Sequence, residues 1–289
     1  MINFKAKTTS GEIIKSSLSP FTFPAGEAHT KQEDRRELEP VEIAIIQPSP
    51  DSLHDDLFQL AMWEKYITQE NYIYEPNSKR VLVIPYFPGA RADRGQPFGL
   101  GVYADFIRSM QLDHIVIFDP HSGETGDQLH AAADDLTIVH SDELFHQSHV
   151  QSLLGHYDGI IAPDKGAAAR AQKVAIAFDI KMYQAEKTRD FETGKLSGFK
   201  LDGLPTDGKY LIVDDICDGG GTFLGLADAI NIPFGQLDLY VSHGVFSKNA
   251  TQTLPEKFGR IFTTNSYSPL RMDHHFTRFD VINLLLERV

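Results

Sequence analysis

Short, uninterrupted apolar runs punctuate the chain at residues 43–46, 81–84, 115–118, 159–162 and 210–213. Most are β-branched or aliphatic and are bounded by turn or polar residues, which is the pattern of strands buried on both faces. Between them the apolar spacing becomes helical. Residues 55–67 place Leu57, Leu60 and Ala61 on one face, and 99–110, 142–154, 167–178 and 223–230 behave alike. Strands alternating with helices predict parallel βαβ units and an α/β fold. The series restarts after about residue 138, so two halves are expected, 1–138 and 139–289, each a mainly parallel sheet flanked by helices. Residues 91–101 and 185–198, rich in charge and glycine, read as mobile connections.

Composition narrows the function. Of 289 residues 40 are acidic and 27 basic, a net charge of −13, which excludes nucleic-acid binding driven by phosphate contacts. A local nucleotide site remains open. Hydrophobic content of 42% supports real cores. The single cysteine, Cys217, excludes a disulfide framework and a zinc knuckle, and reads as a small buried hydrophobe. No apolar stretch follows the lysines of residues 1–10, and the longest apolar run, 81–88, contains two prolines. A membrane-spanning helix needs ~20 apolar residues. The chain reads as soluble and cytoplasmic.

In open α/β sheets, ligands bind beyond the carboxyl ends of the strands. The polar residues that fall there are 86–94, 119–121, 163–165 and 214–222. The last is the sharpest: Asp214-Asp215-Ile216-Cys217-Asp218-Gly219-Gly220-Gly221-Thr222, followed by a helix. Three glycines let backbone N–H groups crowd around an anion, and the helix start adds partial positive charge. Two carboxylates at a strand end suit paired hydroxyls such as a ribose diol, or a magnesium ion. The Gly-Lys-Ser/Thr ending of a Walker loop is missing. Residues 99–104, Gly-Leu-Gly-Val-Tyr-Ala, fit a dinucleotide fingerprint in letters only, because they do not follow a strand directly.

These residues carry a family resemblance. The segment 214–222 resembles the phosphoribosyl-diphosphate loop shared by type I phosphoribosyltransferases and ribose-phosphate diphosphokinases. Five further segments choose the diphosphokinases. Phe23-Pro24-Ala25-Gly26-Glu27 resembles Phe-Ser-Asp-Gly-Glu. Pro85-Tyr86-Phe87-Pro88-Gly89-Ala90-Arg91-Ala92-Asp93-Arg94 resembles Pro-Tyr-Phe-x-Tyr-Ala-Arg-Gln-Asp-Arg. Asp119-Pro120-His121-Ser122 resembles Asp-Leu-His-Ala, and Pro163-Asp164-Lys165-Gly166-Ala167 resembles Pro-Asp-x-Gly-Gly. Ser242-His243-Gly244-Val245-Phe246-Ser247 resembles Thr-His-Gly-x-Phe-Ser. The motifs keep the family's order from about residue 21 onward.

The resemblance implies two phosphoribosyltransferase-like domains and a transfer of the β,γ-diphosphate of ATP to the 1-hydroxyl of a ribose 5-phosphate unit, releasing AMP. It implies catalytic roles for Lys187, Arg189 and His121, the two cations lying on a mobile loop. ATP would be bound by Phe23, Glu27, Arg91, Asp93 and Arg94. The ribose phosphate would be held by Asp214, Asp215, Asp218, Gly219, Gly220, Gly221 and Thr222. Magnesium would be held at His121 and Asp164. In the family the Phe and Glu come from a neighbouring subunit, so a homo-oligomer, dimer or hexamer, is expected.

Departures from the family pattern refine this. Ala25 replaces an Asp that accepts from the adenine amino group, and Ala92 replaces a Gln. Residues 91–101 lack the Arg-Glu-Pro-Ile-Ser stretch that serves effector binding. Gly219 replaces the loop's first Thr, which bonds a terminal 5′-phosphate. An esterified phosphate, as in ADP-ribose, has one less charge to satisfy. The spellings Asp-Gly-Gly-Gly-Thr and Asp-Pro-His-Ser look like a phage branch that makes ADP-ribose pyrophosphate while rebuilding NAD⁺. Two alternatives stay open at this stage: a phosphoribosyltransferase using the same loop, and a non-catalytic regulatory paralogue.

Overall fold

The computed structural model describes residues 1–34, 37–74, 77–189, 196–267 and 273–289. The chain divides into two units. One comprises residues 1–139, 266–268 and 281–289, the other 140–265 and 269–280. Both are α/β, built on a six-stranded, mainly parallel sheet with helices packed on it.

The first unit runs β1 (Ile2–Lys7), β2 (Ile13–Lys15), β3 (Leu18–Thr22), β4 (Ala28–Gln32), β5 (Val41–Ile46), α1 (Leu53–Tyr74), β6 (Lys79–Ile84), α2 (Gly99–Arg108), β7 (Leu112–Phe118), α3 (Gly123–Leu129) and β8 (Ala133–Val139). Its sheet order is β2-β1-β5-β6-β7-β8. Strands β5 to β8 are parallel neighbours in sequence order, while β1 and β2 add an antiparallel edge. Leu57, Leu60, Trp63 and Ile67 of α1 are buried against the sheet, and Trp63 stacks on Phe4 with ring centroids 6.0 Å apart. That spacing is the helical stripe legible in residues 55–67, which the structure extends by almost two turns. Strands β3 and β4 form a separate antiparallel ribbon. It is braced on α1, where Gln59 donates to the Phe21 carbonyl and accepts at its own carbonyl from Thr30 Oγ1.

The second unit runs α4 (Ser141–Phe145), α5 (Ser148–Leu154), β9 (Gly159–Ala162), α6 (Ala168–Phe178), β10 (Lys181–Gln184), β11 (Glu186–Arg189), β12 (Leu196–Lys200), β13 (Tyr210–Cys217), α7 (Gly221–Ile230), β14 (Leu237–Gly244), α8 (Ala250–Thr253), β15 (Ile261–Thr264) and β16 (Phe276–Phe279). All six strands of its main sheet are parallel, in the order β10-β9-β13-β14-β15-β16. From β9 the chain moves one way to β10, returns to β13 beside β9, and then moves the other way. That reversal opens a crevice at the carboxyl ends of β9 and β13. The parallel strands of the first unit wind in a single direction and have no such point.

Several expectations need correction. The helix expected over 142–154 is two, α4 and α5, with the second starting from a new N-cap at Gln147. The strand expected over 210–213 continues to Cys217, because its ladder with β14 persists through the pairs Ile216↔His243 and Cys217↔Gly244. The final helix, α9 (Val281–Leu286), lies against β6 and β7 of the first unit, so the last residues do not belong with 139–280. Among the described residues no helix is long and apolar enough to cross a membrane.

Candidate functional site

In the second unit the sheet order lines up four segments at one edge. They are 186–189 after β10, 163–167 after β9, 214–222 at the end of β13, and 245–249 after β14. Neighbouring strands thus bring together residues far apart in sequence.

Asp164 sits just past β9. Its Oδ1 accepts backbone N–H groups from Gly166 at 2.8 Å and Ala167 at 3.1 Å, which fixes the carboxylate on its own turn. Its Oδ2 accepts from the Lys187 ammonium at 2.5 Å, and both side chains are 28% exposed. Pairing of β10 with β9 continues through the Ala185 N–H to the Ala162 carbonyl, which delivers Lys187 to this place. Partial burial works to raise the Asp164 pKa. The Lys187 ammonium and the two backbone donors outweigh it and hold the carboxyl below its ordinary value. The structure places Lys187 and Arg189 on β11, a strand of a two-stranded ribbon, rather than in a loop, because β11 finds its own antiparallel partner in β12. The Arg189 side chain and residues 190–195 lie outside the described residues.

The Asp214–Asp215 pair is treated in the opposite way. Both residues lie on the last half of β13, with Asp215 buried and Asp214 partly buried, and the Asp215 N–H donates to Asp214 Oδ1 at 2.9 Å. Burial, and then the neighbouring Asp215, push the Asp214 carboxyl well above its ordinary value. The positive charge of Arg170 on α6 opposes them without cancelling them. Two adjacent carboxylates, one of them held above its ordinary pKa, suit a hard cation or a pair of hydroxyl donors.

The glycine run follows directly. Gly220 is the N-cap of α7 with φ +77°, a left-handed conformation that favours glycine, and the Phe223 and Leu224 N–H groups donate to its carbonyl. The first N–H groups of α7 therefore point out of the helix start without intrahelical partners. Gly221 and Thr222, expected in the loop, are in the helix's first turn. At Gly219 an added Cβ would meet only Lys248 Cδ at 3.7 Å and Ser247 Oγ at 3.9 Å, so this part of the loop has room. Cys217 is fully buried. Burial, with Asp214 and Asp218 adding to it, raises its thiol pKa, so it stays a neutral thiol rather than a nucleophile.

In the first unit the adjacent strands β6 and β7 present two predicted segments at one edge. Arg91 lies in a short 3₁₀ turn, Ala90–Ala92, and is exposed. Arg94 is 88% exposed, 3.9 Å from Asp93, a pair of little energetic weight. Asp119 is buried at φ +41° and donates its N–H to the Val139 carbonyl, a turn that leaves His121 exposed. Phe23 and Glu27 lie elsewhere, at the tip of the β3–β4 ribbon. The Phe23 N–H donates to the Glu27 carbonyl there, and Phe23 is 44% exposed. The glycines of 99–104 open α2 well beyond the end of β6 and form no phosphate turn after a strand.

Sequence reasoning missed three features. Arg170 and Lys248 joined the site only through strand order. The described residues also gather Asp273, His274 and His275, whose possible ligand atoms lie within 4.8 Å of one another, the first two exposed and His275 partly buried.

Known proteins resemble this chain in sequence and in fold. The family model "Phosphoribosyl transferase domain" matches residues 133–252. A ribose-phosphate pyrophosphokinase of Thermococcus kodakarensis is 32% identical over 201 residues, 65% of this chain and 66% of the relative. One from Cereibacter sphaeroides is 25% identical over 232 residues, 78% of this chain and 67% of the relative. The matched stretches thus span about two thirds of each relative's own length. The crystal structure of phosphoribosylpyrophosphate synthetase from Mycobacterium smegmatis superposes with a TM-score of 0.76 at 20% identity, over 95% of this chain and 89% of that one, which shows the shared fold. In sequence the chain is thus similar to ribose-phosphate pyrophosphokinases, which are transferases, and in fold to a phosphoribosylpyrophosphate synthetase.

Proposed function

We propose that the protein is an ATP-dependent diphosphokinase acting on the 1-hydroxyl of a ribose 5-phosphate unit. The observation that carries this reading is the carboxylate pair Asp214–Asp215 leading straight into the glycine-rich start of α7. It offers hydroxyl acceptors and a phosphate cradle on one short segment. The resemblance to ribose-phosphate diphosphokinases supplies the donor, ATP, and the leaving group, AMP.

In this reading the glycine loop and the first N–H groups of α7 hold the 5′-phosphate. Asp214 and Asp215 accept from the ribose hydroxyls and fix the 1-hydroxyl for attack. Its oxygen bonds to the β-phosphorus of ATP. The bond from that phosphorus to the oxygen bridging the α-phosphorus breaks, AMP leaves with that oxygen, and the hydroxyl proton is released. Negative charge grows on the transferring group, and Lys187 with Arg189 meets it. Arg91, Asp93, Arg94, Phe23, Glu27 and His121 serve ATP. Phe23 and Glu27 act from the exposed ribbon tip of a neighbouring subunit in a homo-oligomer working in the cytoplasm.

Magnesium fits the donor set. The Asp214 carboxylate, its pKa raised by burial beside Asp215, offers the hard oxygen this ion takes; Asp164 would join it by giving up the Lys187 ammonium on Oδ2, and His121 would attend the nucleotide-bound ion. When bound, magnesium neutralises phosphate charge.

The room at Gly219 favours a second acceptor, ADP-ribose, whose esterified phosphate needs one donor fewer. Incubation with ATP, magnesium and either acceptor, with AMP and the diphosphorylated product counted by phosphorus NMR, tests both. AMP formation with ribose 5-phosphate is expected. ADP-ribose turnover adds the second reading, and AMP from neither acceptor refutes the proposal.

A further inference from the structure

The segment after β14 carries none of the site residues that the resemblance implies, and Lys248 lies just past the matched motif 242–247. The segment is firmly built. The Val245 and Phe246 N–H groups both donate to the Cys217 carbonyl at 3.0 Å, and the Ser247 N–H donates to the Asp218 carbonyl at 3.1 Å. The segment is thereby zipped to the residues immediately before the glycine run. Gly244 makes the tight return possible, since an added Cβ would lie 2.2 Å from the Phe246 ring. That ring is fully buried and packs edge-on against Phe276. Phe246 and Lys248 both have left-handed backbone, φ +46° and +58°. Such angles are uncommon for residues other than glycine and mark a segment held by its surroundings.

The outcome is the position of Lys248. Its Cδ lies 3.7 Å from where a Gly219 Cβ would be, so the aliphatic stem runs within contact distance of the start of the glycine run. The ammonium, two bonds further on, is confined to within about 6 Å of that point. Among the described residues it has no carboxylate partner, and the residue is exposed. Ser247 Oγ lies 3.9 Å from the same point.

We propose that Lys248 is a binding residue for the acceptor's 5′-phosphate, supplying from the neighbouring segment the side-chain donor that Gly219 lacks. The inference rests on the proposed acceptor site but goes beyond it. Gly219 and Lys248 are neighbours, with the lysine stem at ordinary contact distance from where a side chain at 219 would begin. The ligand class is a ribose 5-phosphate group, free or esterified. A cation contributes to either form, and more to the dianionic monoester. Lys248 therefore makes up for the missing hydroxyl when the acceptor is ribose 5-phosphate.

The test compares Lys248→Asn, which tolerates left-handed backbone but has no charge, with Lys248→Arg, which restores the charge. Calorimetric titration with ribose 5-phosphate and with ADP-ribose, at low and high salt, reads binding without turnover. Loss of one charge-assisted contact should weaken ribose 5-phosphate roughly five- to tenfold in the Asn variant. The Arg variant should stay within about twofold, and salt should weaken the wild type more than the Asn variant. In turnover assays the acceptor KM should rise while kcat and the KM for ATP stay near wild type. A larger loss for ADP-ribose than for ribose 5-phosphate would identify the esterified phosphate as the one Lys248 serves. Wild-type binding unchanged in Lys248→Asn overturns the assignment alone. Absence of binding of either acceptor to the wild type overturns the acceptor site itself, and the assignment with it.

Discussion

Two carboxylate positions on adjacent strands of one sheet are prepared in opposite senses. Asp164, after β9, has every oxygen engaged: two backbone donors on Oδ1 and the Lys187 ammonium on Oδ2. Its charge is already balanced, and its pKa is lowered. Asp214, on the next strand, shares a partly buried place with Asp215, and Arg170 compensates it incompletely, so its pKa is raised. The difference separates a carboxylate already paired with a cation from one whose charge is costly where it stands. Asp164 holds Lys187 at this edge, and in the proposed reading the Asp214–Asp215 pair takes the arriving cation or hydroxyl pair. Like residues at like places in a sheet acquire different chemistry from what the neighbouring strand delivers.

The comparison can be broken at several points. The largest effect is expected from metal removal. Exhaustive EDTA treatment should abolish AMP release, and magnesium should restore it, because burial and the neighbouring Asp215 raise the Asp214 carboxyl pKa despite Arg170, and an ion there relieves that cost. Full activity without restored metal would show that Arg170 suffices. Next comes Lys187→Ala, which strips Asp164 of its cation and the transferring group of positive charge. Steady-state kcat should fall by roughly 10²–10³, with a smaller change in KM. Near-normal turnover would mean that the ion pair is only structural. Smallest is Gly219→Thr. The Cβ fits without clash, and the restored hydroxyl should strengthen ribose 5-phosphate binding by about 0.5–1.5 kcal/mol, roughly tenfold at most. A matching loss of ADP-ribose turnover would tie the glycine to the esterified acceptor, and no change for either acceptor would remove the loop from the specificity argument.

Much of this architecture was legible in the sequence where one local rule sufficed. Strands β5, β6, β7, β9 and β13 announce themselves because both faces are buried and the apolar run is unbroken. Strand β14 is buried along its whole length yet escapes that rule, because Asp238 and His243 interrupt the run. Asp238 is tolerated there by Tyr157, Arg260 and Lys209, partners that arrive from other elements. The glycine run and its two carboxylates could be read directly, since they are contiguous. The Asp164–Lys187 pair could not, because it depends on β10 lying beside β9, and the approach of Lys248 to Gly219 depends in the same way on β14 lying beside β13.

The central claim, opposite preparation of the two carboxylates, is tested most directly by the thermal stability of Asp164→Asn and Asp214→Asn without ligand or metal, followed across pH. A lowered folded-state pKa gives Asp164 a stabilising contribution that is present above the ordinary value of 3.8 and lost as pH falls through the folded value. A raised one makes Asp214 a cost that is absent below 3.8 and grows as pH climbs towards the folded value. At neutral pH, Asp164→Asn should therefore lower Tm and Asp214→Asn should raise it, each kcal/mol moving Tm by about 2–4 °C. Both differences should fade in acid. Shifts of the same sign at neutral pH, or differences that persist unchanged in acid, would contradict the account.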